Sequence, residues 1–170
     1  LLDDGSLAAA HTAISDCLTC SKGFEFTTAT TACTLCRAGT YQNQSNVDSA
    51  ACIDCPTGRY LHDDGSLAAL HDAFSDCQVC VKGKYASSNG APDCKVCEAG
   101  QYADRNGTVD CTRCAAGKYL ADPGIKVDNH DNAKWCSPCK AGKFSSAGDQ
   151  FCEFCEAGKR TEVNATTNET

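Results

Sequence analysis

The residues here that could do chemistry are the cysteines. All 16 fall into eight Cys-x-x-Cys pairs, at Cys17/Cys20, Cys33/Cys36, Cys52/Cys55, Cys77/Cys80, Cys94/Cys97, Cys111/Cys114, Cys136/Cys139 and Cys152/Cys155. Thiols at this spacing support three kinds of chemistry. A thioredoxin-type redox site uses one such pair at a helix N-terminus, after a strand. Eight pairs without a βαβ pattern do not fit it. Two pairs together can hold zinc by four thiolates, and the 12 to 21 residues between successive pairs suit a zinc ribbon. The third possibility is structural disulfides in an oxidising compartment.

The surroundings of the pairs favour the third. Asn43-Gln-Ser, Asn106-Gly-Thr, Asn164-Ala-Thr and Asn168-Glu-Thr are acceptors for N-linked sugars, all in polar stretches. N-linked glycans at these four asparagines are therefore expected. The Thr/Ser-rich stretch from Thr27 and the C-terminal tail suit O-linked sugars on composition alone. Leu, Ile, Val and Phe total only 25 of 170 residues, too few to offset chain entropy by burial. Covalent staples are the usual remedy in core-poor secreted modules.

The elements that position these cysteines are read from the residues on the C-terminal side of each pair. A glycine stands three residues after every second cysteine, at Gly23, Gly39, Gly58, Gly83, Gly100, Gly117, Gly142 and Gly158. In six copies an aromatic comes two residues later, at Tyr41, Tyr60, Tyr85, Tyr102, Tyr119 and Phe144. The glycine permits a turn with positive φ, and the aromatic enters a short extended piece. Strands of two to four residues in small hairpins are expected, with turns at Asp64-Gly65, Asn89-Gly90, Asn106-Gly107 and Asp122-Pro123-Gly124. The aromatic should pack over a neighbouring disulfide in place of a core, Tyr85 being one example.

Successive first cysteines are spaced 16, 19, 25, 17, 17, 25 and 16 residues apart. The long gaps recur every third unit, and the sequence repeats with them. Leu1 to Asp16 matches Leu61 to Asp76 at 12 of 16 positions, and a worn third copy begins at Leu120. We divide the chain into super-repeats 1–60 and 61–119, a partial third at 120–160, and a polar tail 161–170. Ser66 to Phe74 is the best helical candidate: Leu67, Leu70, His71 and Phe74 share a face and Ser66 could cap it. Its twin is Ser6 to Ile14. His71 and His130 are equivalent in the repeat, which points to a shared structural hydrogen bond.

Spacing alone does not fix the disulfide connectivity. Double pairing of adjacent motifs would close all 16 cysteines, beginning with Cys17–Cys33 and Cys20–Cys36. It would also put near-identical segments in different surroundings. A ladder joining the second cysteine of each motif to the first of the next treats all units alike, with Cys17 and Cys155 left as linkers. Each loop so closed is worth roughly 3 kcal/mol.

Cys55-Pro-Thr-Gly-Arg-Tyr60 resembles the opening module of tumour necrosis factor receptor cysteine-rich domains. The tandem form is more similar still to ephrin-receptor-like cysteine-rich repeats. In the receptor module this cysteine bonds the next one along, which supports the ladder. The resemblance implies an elongated extracellular scaffold and no particular ligand. It departs at the first unit, where Glu25 holds the aromatic position between Phe24 and Phe26, and at the last, where Arg160 does.

Other functions are disfavoured. The net charge of −7 and the lack of a basic run argue against nucleic acid. No apolar run is long enough to insert in a membrane. Asp3/Asp4, His62/Asp63/Asp64 and Asp128/His130/Asp131 could suggest a calcium or transition-metal site, but none is an EF-hand or other dense acidic loop, so calcium is unsupported and they read as turn residues and caps. No metal, cofactor or catalytic site is expected. The expected fold class is therefore a small disulfide-rich, elongated tandem array of β-hairpin modules, with one or two short helices in the long loops. The expected role is a structural extracellular protein, secreted or on the cell surface. It would self-associate head to tail into fibres, because the chain starts and stops mid-repeat. A receptor or adhesion ectodomain with a binding surface is the alternative.

Overall fold

A computed structural model describes residues 20–27, 32–45, 47, 49–63 and 65–161. Cys17, the Ser6 to Ile14 segment, Asp3, Asp4, Asp64, Asn164, Asn168 and the rest of the tail after Thr161 lie outside the described residues. The described fold is a small disulfide-rich tandem of hairpins, with no long helix. Among the described residues seven antiparallel two-stranded sheets succeed one another, every strand two residues long.

The sequence motif explains the strands. In each hairpin the first strand is the residue after the turn glycine and the residue next to it, as in Thr40–Tyr41. The second strand is the pair of residues between the two cysteines of the next motif, as in Ile53–Asp54. The two central positions of Cys-x-x-Cys are thus strand, and the cysteines flank it. The eight turn glycines have φ from 74° to 85°. At Gly39 the reason is also steric, since a Cβ there would overlap the Gly90 carbonyl. The turns at Asn89-Gly90 and Asn106-Gly107 lie inside the longer hairpin loops, with φ of 69° and 72° at the glycines.

Among the described residues seven disulfides join the second cysteine of one motif to the first of the next: Cys20–Cys33, Cys36–Cys52, Cys55–Cys77, Cys80–Cys94, Cys97–Cys111, Cys114–Cys136 and Cys139–Cys152. They span 13 to 22 positions. The chain divides into two compact units. One comprises Leu1–Val79 with Ser88–Asp93, the other Cys80–Ser87 with Cys94–Thr170. Among the described residues of each, the core is made mostly of sulfur and alanine, with Leu61 and Leu120 the buried leucines.

The helical reading of Ser66 to Phe74 is corrected by the structure. This loop holds two separate 3₁₀ turns, Ala68–Leu70 and Phe74–Asp76, and its counterpart holds Val127–Asn129 and Ala133–Trp135. Leu67, Leu70 and Phe74 are exposed, whereas His71 is fully buried. Ser66 caps nothing; its hydroxyl donates to Asp63. The Ser66 to Phe74 segment is shorter than the roughly 12–15 residues an isolated helix needs, and its loop is tied at both ends by Cys55–Cys77. Its one buried polar ring sets its course instead.

Candidate functional site: the cysteine joint and the histidine clasp

The joint is built from the second cysteine, the turn glycine and the residue after the aromatic. In the first unit the Gly23 amide donates to the Gln42 carbonyl, and the Gly23 carbonyl accepts from the Cys36 amide. Gly39 repeats this with Leu61 and Cys55. In the second unit Gly83 does so with Ala103 and Cys97, Gly100 with Leu120 and Cys114, and Gly117 with Ser145 and Cys139. Each of these turn glycines therefore grips the next module through both of its backbone groups. Backbone donors and acceptors that would otherwise be stranded in a thin, core-poor fold are satisfied this way.

A second contact reaches from three of the loops back to a cysteine. The Gly90 amide donates to the Cys55 carbonyl, Gly107 to Cys80 and Gly148 to Cys114. The asparagines beside two of these glycines add a side-chain bond: Asn89 Oδ1 accepts from the Thr57 amide and Asn106 Oδ1 from the Lys82 amide. The aromatics finish the joint. Tyr41 packs on Cys55, Leu61 and Cys77, and Tyr102 on Cys114, Leu120 and Cys136. Tyr85 is half-buried opposite Lys95. In the first module Glu25 takes the strand position opposite Thr34. Phe26, one residue on, is buried with Cys20 and Ala50 and bridges to Ala50. Phe26 thus takes the buried place after the aromatic position that Leu61 and Leu120 hold in later modules.

The clasp belongs to the two long loops. His71 Nδ1 lies 2.6 Å from the Thr40 carbonyl, and Nε2 lies 3.0 Å from Asp63 Oδ2. His130 repeats it, at 2.7 Å from the Gln101 carbonyl and 3.3 Å from Asp122 Oδ1. The backbone carbonyls of His71 and His130 accept from the Gln42 and Ala103 amides, so each histidine brackets the strand's aromatic residue, bonding the residue before it and the residue after it. The shared hydrogen bond expected from the repeat is present twice over.

The carboxylates are organisers as well as partners. Asp63 accepts from the Ser66 hydroxyl at 2.7 Å and from the Ser66 and Leu67 amides. The Ser66 bond is the main reason its pKa falls to about 2. Asp122 accepts from Asn129 Nδ2 at 2.7 Å and from the Gly124, Ile125 and Lys126 amides. The Asn129 bond leads in holding its carboxyl far below the usual range. Sequence reasoning reads these aspartates as turn and cap residues but does not join them to the histidines. The signal is there: Asp63 and His71, and Asp122 and His130, are each eight apart.

Asn43 and Asn106 are exposed. Cys155 is half-buried and has no disulfide partner among the described residues. No cluster of three or more potential metal ligands occurs among the described residues. Nor is any helix among them long and apolar enough to cross a membrane.

Comparison with known proteins agrees with the geometry over part of the chain. Residues 23–71 match the family described as tyrosine-protein kinase ephrin type A/B receptor-like. A 58-residue stretch, 34% of this chain, is 43% identical to thyroglobulin from Mus musculus. The same share and identity hold for thyroglobulin from Rattus norvegicus. The matched stretch spans about 2% of those relatives' length. The chain is thus a disulfide-rich repeat array, and its residues 23–71 are similar to the ephrin-receptor-like family.

Proposed function

We propose that this chain is a structural, glycosylated extracellular repeat protein and a subunit or segment of a surface or secreted filament. The observation that supports it best is the joint. The glycine relay recurs from module to module within each unit, and the recurring geometry serves connection between neighbours. Its role is non-catalytic, and continued head-to-tail association of copies is its partner interaction. N-linked sugars on Asn43, Asn106, Asn164 and Asn168 would shield the loops. At Asn106 the bond to Lys82 uses the side-chain oxygen, not the nitrogen to which a sugar attaches. Electron microscopy of native, glycosylated material tests this reading. Helical fibres of the chain are the expected result; a monodisperse monomer under all conditions would overturn it.

A receptor or adhesion ectodomain is the second reading. The receptor-like family over residues 23–71 favours it, as does an open groove lined by Tyr60, His62, Leu70, Gln78 and Asp93. Saturable binding of a defined ligand by the monomer, lost on substitution in that groove, would select it.

A further inference from the structure

We infer that His71 and His130 are held as imidazolium ions, each ring giving both protons, and that this charge latches the long loops to the preceding hairpins. The acceptors around each ring require it. The Thr40 carbonyl has no proton to give, so the bond at His71 Nδ1 needs a proton on the ring. At Nε2 the partner is Asp63, whose carboxylate already accepts from Ser66 and Leu67. Its proton-free form is what those donors require. A neutral imidazole carries one proton and would point a lone pair at one of these acceptors. Both histidine side chains are fully buried, so water cannot relieve the clash. His130 meets the same demand from the Gln101 carbonyl and the multiply bonded Asp122. The arrangement occurs twice, in units built from different loop sequences.

The groups around each ring are few. Asp63 faces His71 from its own loop, and the packed hairpin offers a neutral carbonyl. Nearby, Arg59 lies over Phe74 and donates to the Cys77 carbonyl, Tyr41 meets Phe74 edge-on, and Asp76 accepts from the Ala73 amide. Asp122 faces His130; Asp131 is engaged with Trp135, and Tyr102 packs on the Cys114–Cys136 pair. The latch is closed while each ring donates from both nitrogens, one to the hairpin carbonyl and one to the carboxylate.

The test uses the full chain, disulfides and sugars intact, with ¹⁵N-labelled histidine. Proton–nitrogen correlation near neutral pH should show protons on both nitrogens of His71 and His130; a bare nitrogen on either ring overturns the inference. In the Asp63→Asn chain, protection of the Gln42 amide should fall about tenfold or more while that of the Ala103 amide holds. Unchanged protection would overturn the latch. Asp63→Asn should leave His71 singly protonated and His130, in the other unit, unaffected. If His71 kept both protons in that variant, the carboxylate would not be what holds the charge.

Discussion

Gly39 and Gly117 occupy the same place in the motif but face different surroundings. Both have φ of 81°, which costs a non-glycine residue about 1–2 kcal/mol. At Gly39 a Cβ would also overlap the Gly90 carbonyl, while at Gly117 nothing among the described residues lies within 4 Å. Gly39→Ala should therefore lower the guanidinium midpoint clearly more than Gly117→Ala; equal shifts would show that the close approach is not real. Asp63 gives a second test at this scale. Its folded pKa is depressed, so it contributes stability that is complete above its unfolded value near 4. That stability is lost as pH falls toward about 2. The Ser66 and Leu67 amide resonances should titrate near the lower value. A midpoint near 4 would mean that the Ser66 hydroxyl does not hold the carboxylate.

At the scale of the elements, the long loops depend on their disulfides more than on helix propensity. Replacing Cys55 and Cys77 together by serine removes a rung spanning 22 positions, worth about 3 kcal/mol. It also unseats Tyr41 and Leu61, which pack there. Limited proteolysis should then cut within residues 61–76 and spare the Cys114–Cys136 loop. Cleavage in both loops at once would mean that the units do not fail separately.

Much of this level was legible in the sequence. The cysteine spacing and the glycine three residues on specified short hairpins and positive-φ turns, because few residues other than glycine tolerate that backbone. The true course of Ser66 to Phe74 was not legible. Four residues at helical spacing suggested an apolar face, but in a closed loop the buried side chain is His71, while Leu67, Leu70 and Phe74 face out. The glycine relay was invisible for a different reason: it is made of amides and carbonyls, which every residue carries. Gln42, nearly fully buried, gave no signal, since its position is aromatic-plus-one and polar elsewhere only at Ser145 and Thr161.

For the whole molecule, the composition set the strategy before any contact did. With so few large apolar residues, the chain distributes its core into small clusters around sulfur, such as Cys55, Leu61 and Cys77. Non-reducing peptide mapping of native material should recover the seven linkages from Cys20–Cys33 to Cys139–Cys152. Enzymatic deglycosylation should convert Asn43 and Asn106 to aspartate. Recovery of Cys20 joined to Cys36, or of free thiols with bound zinc, would refute the pairing.

The disulfides also decide how the chain would carry tension. Pulled along its length, force enters at Cys20, crosses sulfur to Cys33, runs two residues to Cys36 and crosses again to Cys52. The covalent route alternates between a disulfide and the short strand inside each Cys-x-x-Cys pair. Every loop, including the two that carry the histidines, is slack with respect to that route. Loop sequence can therefore drift, lengthen or take sugars without altering extensibility, while reduction would release the hidden slack one rung at a time.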